Sequence, residues 1–212
     1  MKLYSYWRSS ASWRVRIGLA FKGLVYETIA VNLASGEQRL DAYGTVNPAH
    51  ELPTLEIDGL RLAQSLVILQ YLDDRFSEKP LIPTSQPERA YALQMAEIIN
   101  SAIHPLQNLR VLKKLEADFG FDETQKASWA KTFITQGFIG LEAQLARHAG
   151  EFALGDSFTI ADCFIAPQVY NAHRFHVDMS PFPTLARIDA ALLLHPAVAT
   201  THPSLQPDAP KS

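Results

Sequence analysis

A chain of 212 residues, 47% apolar and 19% charged, is long enough for one large or two modest folded domains and too apolar to be disordered. Its net charge of −3, with both signs interspersed, gives no electrostatic reason to expect nucleic acid or an anionic membrane as partner. No apolar run reaches the length of a membrane span and no signal-peptide pattern opens the chain. Cys163 stands alone, which excludes an intramolecular disulfide and a thiolate metal cluster and implies a cytoplasmic location.

Lys2 to Tyr6 alternates apolar with polar residues and predicts a strand. Val15 to Lys22 is too apolar for a loop and predicts a buried helix. Between them Ser9, Ser10 and Ser12 stand where helix capping is expected. An ordinary Ser N-cap accounts for this pattern, and so does an anion-holding turn at a helix N-terminus. Leu24 to Val31 is rich in β-branched residues and predicts a second strand. Glu37 to Tyr43 has room for one or two helical turns. Asp58-Gly59 between the short runs Leu52–Ile57 and Leu60–Ala63 is a hairpin signal. Gln64-Ser65 opens Leu66 to Leu72, apolar at helical spacing. The order of these elements over about 75 residues fits an α/β sheet with helices on its faces.

Ser77 to Pro87, with prolines at 80, 83 and 87, predicts a linker, and the chain beyond it reads as all helix. Glu88 to Asp118 is expected to kink or break after His104, because Pro105 cannot continue a regular helix. Asp122 to Gln125 has the pattern of a capping box, followed by a stripe of Trp129, Phe133, Gly137, Leu141 and Leu145 that Gly150 is expected to end. Thr159 with Asp162 caps a further buried helix, so Asp162 is assigned to structure and Cys163 to the core. Thr184 to Leu193 supplies another helix. The Pro-rich end from Pro203 to Ser212 is expected to be mobile. His173, His176 and Asp178 have a ligand-like spacing but lack a full donor set for a metal.

The run Arg8-Ser9-Ser10-Ala11-Ser12, continued by Arg14-Val15-Arg16-Ile17, resembles the signature of the zeta-class glutathione transferases. That family includes the maleylacetoacetate isomerases, with the maleylpyruvate isomerases close by. The likeness continues in His104-Pro105-Leu106-Gln107-Asn108-Leu109-Arg110, in Thr159-Ile160-Ala161-Asp162-Cys163 and in Pro167 to Phe175. Ala11 stands where the family carries Cys. The resemblance implies a thioredoxin-like α/β N-terminal domain over 1–82 and an all-α C-terminal domain over 88–212. It also implies a cis bond before Pro53, glutathione as cofactor, and a homodimer. With no thiol in the turn, dithiol exchange is excluded, and any sulfur nucleophile must arrive as a cosubstrate.

Under that resemblance Ser9 is the thiolate's partner and Ser10 a second donor, while Ala11 offers only its backbone N–H. Gln64 and Ser65 would hold the γ-glutamyl carboxylate, the Leu52 main chain the cysteinyl peptide, and His50 the glycine carboxylate. His104 and Asn108 are assigned to glutathione as well. Arg8, Arg110 and Arg174 are assigned to a small dicarboxylate substrate, a task suited to bidentate guanidinium groups. A free thiol near pKa 8.5 is only a few per cent ionised at pH 7. A hydrogen bond to charge of about 1.5–3 kcal/mol, with about 0.3–1 from the helix N-terminus, lowers it by roughly one to two units. The implied activity is isomerisation of a maleyl-keto acid to its fumaryl form in aromatic-compound breakdown. A general transferase acting on α-halo acids needs the serines and Gln64-Ser65 but not the three arginines. A protein that only binds partners needs neither set.

Overall fold

The computed structural model describes residues 1–210 as two compact units. The first comprises Met1–Leu81 together with the segment from Leu194 onward, and the second comprises Ile82–Leu193.

In the first unit β1 (Lys2–Ser5) leads through the Ser-rich turn into α1 (Ser10–Lys22), followed by β2 (Glu27–Ala30) and a short α2 (Asp41–Gly44). The hairpin β3 (Thr54–Ile57) and β4 (Leu60–Ala63) then feeds α3 (Ser65–Arg75). The four strands form one mixed sheet in the order β2-β1-β3-β4, with β1 parallel to β2 and antiparallel to β3. Asp58 and Gly59 both take positive φ at the hairpin, as its two-residue turn requires. Leu3, Val15, Leu19, Leu55, Ile57, Ile68 and Leu72 close the core between the sheet, α1 and α3. Full burial of such a side chain contributes about 1.5–3 kcal/mol.

Two expectations shift here. The first helix begins at Ser10, so the three hydroxyls fall in and beside its first turn. The second strand is shorter than Leu24–Val31, because Gly23 in the left-handed region ends α1 and the Leu24 N–H is taken by the Leu19 carbonyl at 2.9 Å. The first half of the linker is fastened to this unit. Lys22 Nζ reaches Asp73 Oδ1 and the carbonyls of Phe76 and Lys79, each at 2.8 Å, while Asp73 also accepts the Leu81 N–H.

The second unit holds α4 (Gln86–Glu97), a π-helical stretch (Ile98–Ile103), α5 (His104–Gln107), α6 (Leu109–Phe119), α7 (Glu123–His148), α8 (Ile160–Arg174) and α9 (Pro183–Leu194). The capping box at Asp122 and Gln125 forms as expected. Pro105 does not break the chain after His104. The wider π turn before it accommodates the ring, and the helix ends only at Asn108, whose backbone is extended. Gly137 makes room for that stretch, since a Cβ there would stand 2.2 Å from Ile103 Cγ1. The buried stripe of α7 keeps the expected Leu141 and Leu145, while Trp129, Phe133 and Gly137 are only half-buried beside it. Ala130, Ile134, Phe138, Leu141 and Leu145 are buried, and the helix ends at His148, before Gly150.

The largest correction concerns the end of the chain. Residues from Leu194 on, assigned by sequence to the helical domain and from Pro203 to mobility, pack as part of the first unit. They form α10 (Pro196–Ala199) and a 3-10 turn (Pro203–Leu205). Trp13 Nε1 donates to Thr201 Oγ1 at 3.1 Å, and Gln206 Nε2 donates back to the Thr201 and His202 carbonyls. Residues 211 and 212 of that expectation lie outside the described residues.

Candidate functional site

The turn between β1 and α1 is held by its own backbone. The Ser9 N–H donates to the Tyr6 carbonyl at 2.9 Å, and the Ser9 carbonyl accepts from Trp13 N as the first helical bond. Ser9 is the N-cap of α1, its Oγ accepting the Ser12 N–H at 3.2 Å. A hydroxyl has one proton and two lone pairs, so accepting here leaves the proton to be donated elsewhere. The cap and the thiolate partner are therefore compatible roles for one oxygen. Ser9 is half-buried, while Ser10 and Ala11, in the first turn of α1, are buried. Arg8 is exposed, its guanidinium 5.5 Å from the centre of the Trp7 ring. Such a contact contributes about 0.5–1 kcal/mol and keeps the cation beside the turn.

Two arginines that sequence reading treated only as part of a signature lie fully buried beneath this turn. Arg14 Nη1 donates to Ser65 Oγ at 3.2 Å, placing a cation behind the start of α3. Arg16 Nη1 donates to Ser5 Oγ and the Tyr6 carbonyl, and its Nη2 donates to the Trp7 carbonyl at 3.0 Å. Burial lowers the Arg16 pKa to about 10, opposed by attraction to Tyr26 and Asp208, so it remains a cation at neutral pH. Arg-x-Arg inside an apolar helix was the signal available.

The remaining residues of the first unit singled out by sequence lie in the segment from Asn47 to Ser65. Tyr43 Oη and Asn47 Nδ2 both donate to the Glu51 carbonyl, at 2.7 and 2.8 Å, which fixes the backbone just before Leu52. The Leu52–Pro53 peptide is cis. His50 has positive φ, and its Nδ1 donates to the Gln38 carbonyl at 2.7 Å. Gly44 is required beneath it, since a Cβ would lie 2.9 Å from His50 Cε1. Gln64, at φ 69°, is a non-glycine residue in a left-handed backbone, with its amide on Glu51 Oε2 at 3.2 Å. Backbone of this kind is retained where surrounding contacts over-determine it, and such positions cluster at ligand sites. An apolar depression of about 260 Å3 also opens on this unit, walled by Tyr4, Val31, Leu40 and Tyr43 among others; no sequence-predicted site residue lines it.

In the second unit, Asn108 caps α6 by accepting the Arg110 N–H at 3.0 Å, and its Nδ2 meets His104 Nε2 at 3.3 Å. His104, Asn108 and Arg110 are thus gathered locally. Gln107 Nε2 donates to Gln168 Oε1 at 2.8 Å and ties this corner to α8. Arg174, exposed at the end of α8, donates to Asn171 Oδ1 and lies over the Phe175 ring. Among the described residues no group of three or more His, Cys, Asp or Glu is gathered to hold a metal ion. None of the helices described is long and apolar enough to cross a membrane.

Against known proteins, residues 1–74 match the glutathione S-transferase N-terminal domain and residues 109–206 the C-terminal domain. Maleylacetoacetate isomerase of Dictyostelium discoideum is 50% identical over 98% of this chain and 95% of its own length. This chain belongs to the zeta-class glutathione transferase and maleylacetoacetate isomerase family. A bacterial zeta-class maleylpyruvate isomerase, solved in its holo form, superposes with a TM-score of 0.97 at 38% identity, covering 99% of this chain and 100% of that one. Maleylacetoacetate isomerase from Anaeromyxobacter dehalogenans gives 0.89 at 42% identity over 99% and 97%. It was solved with dicarboxyethyl glutathione and citrate in its active site. The zeta-class frame accounts for a first unit that carries both a Ser-capped turn and a cis-proline segment.

Proposed function

We propose that this chain is a glutathione-dependent cis–trans isomerase of a maleyl-keto acid. The observation that carries the reading is Ser9: a half-buried hydroxyl at a helix N-terminus, oriented by the Ser12 N–H so that its proton remains to be given. The donor set of the first unit fits a tripeptide thiol. Ser9 and the first turn of α1 suit a thiolate, the start of α3 at Ser65 suits a carboxylate, and the Leu52 main chain suits a peptide. Glutathione, when bound, supplies the thiolate that adds reversibly to the activated double bond and leaves after rotation, so none is consumed. Ser9 lowers the thiol pKa, and Ser10 with the Ala11 N–H adds to the positive end of the helix. His50 meets the glycine carboxylate, Gln64 and Ser65 the γ-glutamyl end, and His104 and Asn108 the remaining polar groups.

Arg8, Arg110 and Arg174 hold the substrate carboxylates and offset the enolate charge that builds during addition. This requirement separates an isomerase of dicarboxylates from a transferase of halo acids. The dicarboxyethyl adduct of glutathione and the polycarboxylate citrate held by the Anaeromyxobacter relative support the same assignment. The setting is a cytoplasmic homodimer serving aromatic-compound breakdown.

The test follows maleylpyruvate and maleylacetoacetate by ultraviolet absorbance, with and without glutathione. Turnover is expected only with glutathione and without its net loss. Arg110→Ala and Arg174→Ala are expected to raise KM for the acid by roughly tenfold each, the scale of one lost charge-assisted bond. Absence of isomerisation, with glutathione consumed by chloroacetate, overturns the reading in favour of a conjugating transferase.

A further inference from the structure

One peptide unit in the Ser9 turn is held at both ends. The carbonyl of Tyr6 accepts the Ser9 N–H at 2.9 Å and is also approached by Arg16 Nη1 at 3.4 Å. The N–H of the same peptide, on Trp7, donates to Asp208 Oδ2 at 2.8 Å. Asp208 arrives from the other end of the chain, 201 residues away. Its path is anchored at each step: Trp13 on Thr201, Gln206 on the Thr201 and His202 carbonyls, and the Ala209 N–H on the Gln206 carbonyl. Rotating the Tyr6–Trp7 peptide moves the oxygen that receives the Ser9 N–H, so whatever fixes this plane fixes the position of Ser9.

We propose that Asp208 is a positioning residue for Ser9, holding the Tyr6–Trp7 peptide from the outer side while Arg16 holds it from within the unit. This rests on the reading that Ser9 is the thiolate's partner. A tail that merely plugs the unit needs apolar contact, and that is supplied earlier in the segment by Ala197 and Val198, both buried. Asp208 adds a charged acceptor aimed at one backbone N–H of the turn. The charges around the turn are Arg16 beneath it, with Tyr26 and His202 near Arg16, and Arg8 outside.

The sign of one shift separates positioning from simple charge. A carboxylate near a thiolate disfavours it, so removing Asp208 for its charge alone lowers the thiol pKa of bound glutathione. If Asp208 instead positions Ser9, Asp208→Ala raises it. The thiol is titrated by thiolate absorbance on wild type, Asp208→Ala, Asp208→Asn and Ser9→Ala, with kcat and KM measured beside it. Asp208→Ala is expected to raise the thiol pKa by about half a unit and lower kcat about three- to tenfold, with KM within about twofold. Asp208→Asn keeps an acceptor oxygen and is expected to restore both to within about twofold of wild type. If Asp208→Ala does not fold, Asp208→Glu, which displaces the oxygen by one methylene, carries the same comparison. A thiol pKa at or below wild type in Asp208→Ala with kcat unchanged, or in Asp208→Glu where it stands in, overturns the proposal, whatever the melting temperature does. Ser9→Ala matching wild type in thiol pKa overturns the Ser9 reading instead, so the two failures are told apart by which variant shows them.

Discussion

Two hydroxyl caps open the two most buried helices of this chain, and they are built for opposite ends. At α8, Thr159 and Asp162 close on each other. Asp162 Oδ2 accepts both the Thr159 N–H at 2.7 Å and the Thr159 hydroxyl at 3.1 Å, and its other oxygen takes the Ala153 N–H at 2.9 Å. The Thr159 proton is consumed inside the cap, and both residues are almost wholly buried. At α1 the third helical position is Ser12 rather than an acid, so the Ser9 cap stays open. Its oxygen takes one N–H, its proton remains, and the residue is half-exposed. The same capping chemistry yields a staple where an acid closes it and a donor where none does.

Opening the closed cap has the largest expected effect. Asp162→Ala strips acceptors from two buried N–H groups and a hydroxyl, and is expected to cost about 3–5 kcal/mol of stability. Urea unfolding reads this directly, and a loss below about 1 kcal/mol would remove Asp162 from its structural role. Removing the open cap reverses the balance between folding and chemistry. Ser9→Ala is expected to cost only about 1 kcal/mol of stability, the ordinary worth of an N-cap. In the isomerase assay it is expected to lower kcat by about 30- to 100-fold, equivalent to about 2–3 kcal/mol. Equal losses of stability in the two variants would dissolve the distinction.

The local devices on both sides of this contrast were legible in sequence. Asp58-Gly59, the capping pairs at Asp122 and Thr159 and the Ser-rich turn announce themselves within four residues, because their chemistry is carried by neighbours. Contacts across the chain have no such signal. Nothing near Pro203 says that Asp208 will reach Trp7, so composition alone made that tail look mobile. Pro105 marked the irregularity but not its form, for a related reason: the π turn beside it depends on a missing Cβ at Gly137, on another helix. Arg14 and Arg16 were legible only as part of a signature, with no sign of what they hold. Only the turn above Arg16 and the serine beside Arg14 explain their burial. Of the site, the residues expected to touch glutathione were legible through resemblance, while the groups that hold them in place were not.

The contrast sharpens further at a buried carboxylate that caps nothing. Burial raises the Asp162 carboxyl to about 6 against the pull of its cap donors, whereas Asp189, on α9, is raised to about 7 by burial alone. Both shifts have the sign that makes folding take up protons. Each group's contribution is greatest at low pH, declines as pH rises above the unfolded value near 4, and levels off above its folded pKa. Asp162 is already half ionised at pH 6, so Asp189 dominates the next unit. Between pH 6 and 7 wild type is therefore expected to lose about 1 kcal/mol that Asp189→Asn retains, since one proton corresponds to about 1.4 kcal/mol per unit. Urea midpoints of the two proteins across pH 5 to 8 measure the difference. Parallel curves between pH 6 and 7 would mean that Asp189 meets solvent or a donor in the folded state, and that burial without a cap does not set its charge.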